Sequence, residues 1–322
     1  MKISLQEAAG LLKEKDNILI LSHQFPDGDT LGTAGALCLM LHSLGKRARM
    51  ECSDKAPDKY NYMLSDIPDM EFVPEYIVAV DVADTKLLGE PLASRWADKI
   101  NLCIDHHGSN KKYAEKYYVD PTAAATAEII YRLAGLLGVS LTKHMADCIY
   151  TGITTDTGCF RNANVTAETH LIASELLRLG ASAAEINRLM FETKSHSRLA
   201  LEKMVLETLE YDMGGSYASI YITKAMMKES GASEGDMEGL APIPRKIEGV
   251  KIGVTLREKS DGSYKVSLRT DIGIDASKIC GRLGGGGHPQ ASGCTVKGPL
   301  EQAKAVVRRE TAAYLKENGI ET

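Results

Sequence analysis

Four widely separated segments of this chain stop being apolar, or stop being helical, at acidic or imidazole side chains. The run Ile18-Leu19-Ile20-Leu21-Ser22 passes into His23-Gln24-Phe25-Pro26-Asp27-Gly28-Asp29. Tyr76-Ile77-Val78-Ala79-Val80 ends in Asp81, with Asp84 three residues on, and Asn101-Leu102-Cys103-Ile104 ends in Asp105-His106-His107. A helical pattern stops at Thr155-Asp156-Thr157-Gly158. Short apolar runs alternating with helical periodicity predict an α/β fold with a mostly parallel, doubly wound sheet. Loops at the carboxyl ends of such strands converge on one crevice. The fold therefore predicts that His23, Asp27, Asp29, Asp81, Asp105, His106, His107 and Asp156 meet.

Carboxylates packed this closely repel, and burying them uncompensated costs several kcal/mol each. Cations remove that cost. Oxygen ligands with a minority of imidazoles suit Mn²⁺, and less often Mg²⁺, Fe²⁺ or Zn²⁺. The absence of thiolate argues against a structural zinc site. The ligands suffice for two divalent ions sharing a carboxylate, which can clamp a phosphate and acidify a bound water. Taken alone, Asp27-Gly28-Asp29 is more often a turn and Asp156 more often a helix end; their recurrence at one sheet edge is what points to metal.

At 322 residues and 44% hydrophobic content, two domains are expected. We expect a first domain over 1–190, a helical linker over 191–212 from the charged helical pattern between Ser182 and Tyr211, and a smaller α+β domain over 213–322. In that second domain Tyr217–Ile222, Val250–Glu258, Tyr264–Thr270 and Ala291–Val296 read as strands, with Asp261-Gly262 as a hairpin turn. In the first domain, Pro121 is expected to open an Ala-rich helix. Gly284-Gly285-Gly286-Gly287-His288 lets backbone N–H groups approach an anion, and Arg269 is a candidate phosphate contact. The seven cysteines form no CxxC pair, and no signal peptide or membrane span is read, so a cytoplasmic location is expected. The net charge of −5 argues against a long-duplex partner. It is uneven: residues 215–322 carry 16 basic and 13 acidic side chains, residues 1–214 carry 22 and 30.

On these motifs the chain resembles the DHH phosphoesterase superfamily. Asp105-His106-His107 is the naming motif, Ser22 to Asp29 matches the first motif, Asp81 and Asp156 match the second and fourth, and the glycine run with His288 is similar to the hallmark of the associated DHHA1 domain. Length and domain order are most similar to the group of nanoRNases and 3′-phosphoadenosine 5′-phosphate (pAp) phosphatases. The resemblance implies an active site in the cleft between the domains. It gives His23 and Asp27 one metal and Asp29, His106 and Asp156 the other, with Asp81 bridging. It also gives Asp105 and Asp84 the task of orienting ligands, His107 a contact to the scissile phosphate, and Arg269, Gly285, Gly286, Gly287 and His288 the grip on substrate. Short oligonucleotides and nucleoside bisphosphates are the implied substrates, two ions, Mn²⁺ before Mg²⁺, the implied cofactors, and a homodimer is left open. A cyclic- or linear-dinucleotide phosphodiesterase is the alternative; an inorganic pyrophosphatase or a non-catalytic nucleotide binder is a weaker one. Arg161-Asn162-Ala163-Asn164 after Phe160 has no assigned role.

Overall fold

The computed structural model describes residues 1–237 and 239–320. They divide into two compact units, Met1–Thr193 and Lys194–Thr322. No helix among the described residues is long and apolar enough to cross a membrane.

The first unit runs α1 (Leu5–Glu14), β1 (Ile18–Leu21), α2 (Gly28–Ser43), β2 (Ala48–Glu51), α3 (Asn61–Leu64), β3 (Tyr76–Val80), α4 (Leu92–Trp96), β4 (Leu102–Asp105), β5 (Lys116–Val119), α5 (Thr126–Leu137), α6 (Lys143–Asp156), α7 (Ala167–Arg178) and α8 (Ala183–Asn187). Its five strands are all parallel, in the order β2-β1-β3-β4-β5. The apolar runs are continuous because both faces are covered. Ile18, Ile20, Val78 and Ile104 pack against Leu12, Leu37, Ile129 and Ile149 on one side. Leu19, Leu21, Ile77 and Cys103 pack against Leu88 and Leu92 on the other. Strand order reverses at β1, so the carboxyl ends of β1 and β3 flank the switch point where ligands bind in open α/β sheets.

Two glycines let helices approach that point. A Cβ on Gly32 would fall 2.3 Å from the Cys148 carbonyl oxygen, and one on Gly152 would fall 2.7 Å from Asp29 Oδ1. Their absence allows α2 to lie close along α6 and brings Asp29 beside α5. Two expectations differ from what is seen. The helix expected from Pro121 begins at Thr126, because 121–125 is extended at Ala125 and its carbonyls hold site residues. The segment 182–211 is not one helix: α8 runs into a π-turn over Arg188–Glu192, and after a break Ser195 caps α9 (His196–Leu206).

The second unit continues with β6 (Glu210–Asp212), β7 (Tyr217–Ile222), α10 (Lys224–Ser230), β8 (Ile252–Glu258), β9 (Tyr264–Thr270), α11 (Ala276–Gly281), β10 (Gly286–His288), β11 (Ala291–Val296) and α12 (Leu300–Glu317). Its sheet order is β10-β11-β9-β8-β7-β6, with only β7 and β8 parallel. Val254, Leu256, Val266 and Leu268 pack with Ile279, Val307 and Leu315 on one face. Leu201 and Val205 of α9 pack with Ile220, Ile222 and Leu240 on the other.

Candidate metal centre

The strand-end acids and imidazoles of the first unit come together. Ligand atoms of His23, Asp27 and Asp81 lie within 4.8 Å of one another, as do those of Asp29, His106 and Asp156, and those of Asp81, His106 and His107. Asp81 joins the sets. Its Oδ2 is 3.7 Å from His23 Nε2, which is itself 3.7 Å from Asp27 Oδ2. Its Oδ1 is 3.8 Å from His106 Nε2, which is 3.1 Å from Asp156 Oδ2. One carboxylate thus turns one oxygen toward each of two ligand groups. Asp81 is buried and has φ +57, a conformation that costs of order 1 kcal/mol or more outside glycine.

The surroundings fix these atoms. Asp27 caps α2 with Oδ1, accepting from the Asp29 and Thr30 N–H groups, which leaves Oδ2 toward His23. Asp29 accepts from the Thr126 and Ala127 N–H groups at 2.7 and 2.9 Å, the unpaired amides of the α5 N-terminus. The Thr126 hydroxyl donates to Asp81 Oδ1 at 2.8 Å. His23 Nδ1 donates to the Gln24 carbonyl and His106 Nδ1 to the Ala123 carbonyl, so each ring turns its Nε2 toward the carboxylates. Asn162 and Asn164 both donate to the Asp156 carbonyl, and Asn164 also to Ala124.

His107 is built differently. Buried Asp105 accepts from His107 Nδ1 at 2.8 Å and from Asn110 Nδ2 at 2.6 Å. Burial alone would raise the Asp105 carboxyl, but its hydrogen bonds from His107 and Asn110 hold it below the usual range. His107 is half-exposed, so its Nε2 edge faces out. Asp84 lies in none of the three groups. It caps the turn Thr85–Leu88 by accepting from the Lys86 N–H, and the Leu87 carbonyl in that turn accepts from the Gln24 N–H beside His23.

In the second unit the end of the glycine run forms the short edge strand β10, Gly286–His288. His288 pairs with Ala291, and Ala291 with Arg269, so the three stand in one row across β10, β11 and β9 and share a face of the sheet. The strand spacing puts the His288 and Arg269 backbones about 10 Å apart, with only a methyl group between them. A Cβ on Gly285 would fall 2.2 Å from the Gly293 carbonyl oxygen, so glycine there permits the strand to close on β11. Gly285, Gly286, Gly287 and His288 are all exposed, and Arg269 is half-buried.

Family comparison places this arrangement. The model of the DHH family, N-terminal domain, matches residues 17–153, and that of the DHHA1 domain matches 214–317. The bifunctional oligoribonuclease and PAP phosphatase NrnA of Thermus thermophilus is 36% identical over 305 residues, 89% of this chain and 86% of that protein. The chain belongs to the DHH/DHHA1 phosphoesterase family. An exopolyphosphatase-related protein from Bacteroides fragilis has a similar structure, with TM-score 0.87 and 28% identity over 98% of this chain and 97% of that one. RecJ from Thermus thermophilus, in complex with Mn²⁺, shares the fold at TM-score 0.56 and 17% identity, over 97% of this chain and 55% of that one.

The DHH-domain cluster has the electrostatics of a site built for cations. Burial, followed by the Asp156 charge, pushes Asp29 up to about 7, and burial with the neighbouring Asp29 and Asp27 charges pushes Asp81 well above the usual carboxylate range. Burial would lower His106, but Asp156 and Asp29 hold it up at about 9. Without a cation the cluster draws protons to both its acids and its imidazole. His106 Nε2 is buried and, despite its closeness to Asp156, makes no hydrogen bond. An orphaned ring nitrogen aimed at carboxylates fits a metal ligand.

Thr126, Asn110 and Asn164 are the supporting residues that the sequence reading did not single out. Thr126 was embedded in an expected Ala-rich helix, where a hydroxyl attracts no notice. Its replacement by Val keeps the shape and removes the bond to Asp81. We expect Thr126→Val to weaken Mn²⁺ binding about 10- to 100-fold, with Thr126→Ser near normal. Equal Mn²⁺ titrations of Thr126→Val and wild type would remove Thr126 from the centre.

Proposed function

We propose that the chain hydrolyses phosphate esters in short oligonucleotides and in pAp, using two divalent ions held by the DHH domain. The observation that carries this reading is the division of the Asp81 carboxylate between two ligand groups. His23 and Asp27 would hold one ion, and Asp29, His106 and Asp156 the other, with Asp81 between them. The oxygen-rich donor set favours Mn²⁺, with Mg²⁺ second. When bound, such a pair supplies Lewis acidity: it neutralises phosphate charge and makes an attacking water acidic enough to ionise near neutral pH.

The chain's own groups supply the rest. Asp105 accepts from His107 Nδ1 and holds the half-exposed ring in place, so that its other nitrogen can meet the scissile phosphate and assist the leaving oxygen. The row of Arg269 and His288, with exposed glycine backbone beside it, suits the phosphate or base end of a small nucleotide. We expect Arg269→Ala and His288→Ala to raise KM about 10- to 100-fold, the worth of one hydrogen bond to a charged group, while leaving Mn²⁺ content unchanged. Unchanged KM in both variants would remove the DHHA1 grip. The test of the function is a turnover panel in Mn²⁺ containing pAp, di- to pentaribonucleotides, linear and cyclic di-adenylate, and pyrophosphate. Hydrolysis of pAp and short RNA, abolished by chelator and restored by Mn²⁺, is the expected result. Hydrolysis of pyrophosphate alone, or of cyclic di-adenylate alone, would contradict it.

A further inference from the structure

Phe25 is 76% exposed, and it stands between His23 and Asp27. Its backbone has φ +58, where a bulky residue is an outlier. The chain has four phenylalanines, and the other three are partly buried against partners: Phe72 under Arg49, Phe160 stacked on His170, Phe191 under Arg161. The Phe25 loop is pinned rather than loose. The Phe25 N–H donates to Asp54 Oδ2 at 3.0 Å, the Gln24 N–H to the Leu87 carbonyl at 2.6 Å, and Cys52 Sγ to the His23 carbonyl at 3.1 Å. Gln24 also packs over Gly89, which has no room for a Cβ. A strained backbone and an apolar ring left in water are both costs, and strain of this kind gathers at ligand sites. His23, Gln24 and Asp27 are only partly exposed and Pro26 is buried, so the ring stands out from its own loop, beside half-exposed Leu87, whose carbonyl holds Gln24. Two peptide units reach at most about 7.6 Å, which keeps Phe25 beside both His23 and Asp27.

We propose that Phe25 is a stacking platform for the base of the nucleotide whose phosphate lies over the His23 and Asp27 pair. This rests on the phosphoesterase reading above and adds a determinant of substrate choice: preference for nucleotides over base-free phosphate esters, with tolerance of base identity. Stacking is tolerant because every base offers a π-face.

The experiment measures KM and kcat in Mn²⁺ for an adenine diribonucleotide and for its abasic counterpart, using wild type, Phe25→Ala and Phe25→Trp. We expect Phe25→Ala to raise KM for the base-bearing substrate about tenfold and to shrink the preference over the abasic one by a similar factor. Phe25→Trp should keep the preference, and Mn²⁺ content should be equal in all three. A second reading needs no turnover: adenosine monophosphate should quench the emission that Phe25→Trp adds to the wild-type signal. An equal loss on both substrates, an unchanged KM, or an unquenched tryptophan overturns the platform. A wild type inert toward every nucleotide would sink the phosphoesterase reading alone, and the quench would still decide the stacking.

Discussion

Replacing Asp81 by Ala should reduce hydrolysis on the order of 10³-fold or more without unfolding the protein. The large loss follows from its position. Its two oxygens face separate ligand groups, so removing it damages both halves of the centre and the charge that holds them together. Loss of one preorganised electrostatic stabiliser of a transition state already costs about 10²- to 10³-fold, and here two halves fail together. The second part of the expectation is less usual. Without metal, Asp81 is a buried acid whose carboxylate form is disfavoured by burial first and then by Asp29 and Asp27. Deleting it relieves that repulsion, so metal-free Asp81→Ala should melt no lower than metal-free wild type. Mn²⁺ should raise the melting temperature of wild type and do little for the variant. Steady-state kinetics and calorimetry on both forms check this. Substantial residual turnover, or a metal-free variant that melts well below wild type, would show that Asp81 is mainly a structural residue.

The second large effect is the response of the metal-free protein to pH. Asp29 has its carboxyl at about 7 in the fold against an ordinary value of 3.8, and Asp81 is displaced the same way. The folded state therefore holds protons that the unfolded chain releases from about pH 4 upward, and stability falls as pH rises through that window. His106, at about 9 in the fold against 6.5, extends the fall from pH 6.5 toward 9. Asp27 and Asp105 act oppositely: burial raises both, but hydrogen bonds to His23 and neighbouring amides, and to His107 and Asn110, hold them low. Their stabilisation is present above pH 4 and lost only in acid. With chelator, the melting temperature should decline between about pH 5 and 8. With Mn²⁺ it should not, because the ion replaces the protons. The gap between the two curves should widen across that range by a few kcal/mol of stability. A gap independent of pH would mean that these carboxylates are not the ligands.

Much of the fold was readable because its strands follow simple burial patterns. β1 and β3 lie inside a parallel sheet and are apolar throughout, as is β4 up to Asp105, while β9 alternates buried and less buried residues as an antiparallel strand should. β2 and β5 escaped notice because they are the edges of their sheet, where half-buried Arg49, Glu51 and Lys116 dilute the pattern. The break before α9 escaped because Thr193-Lys194-Ser195 looks like more of the same charged surface until Ser195 is seen to cap the next turn. The candidate ligands stand out in the sequence for a chemical reason: an acid at the end of each apolar run has no structural need to be there. Thr126 does not, because its partner Asp81 lies 45 residues away and only the folded chain brings them together. Phe25 lies within the Ser22 to Asp29 motif, yet its exposure and positive φ are properties of the folded loop.

Anomalous scattering from crystals grown with Mn²⁺ would locate the ions in the DHH domain. Two peaks about 3.5–4 Å apart are expected, one beside His23 and Asp27, the other beside Asp29, His106 and Asp156, with the Asp81 carboxylate between them. A single peak, or two that do not share Asp81, would contradict the two-ion centre.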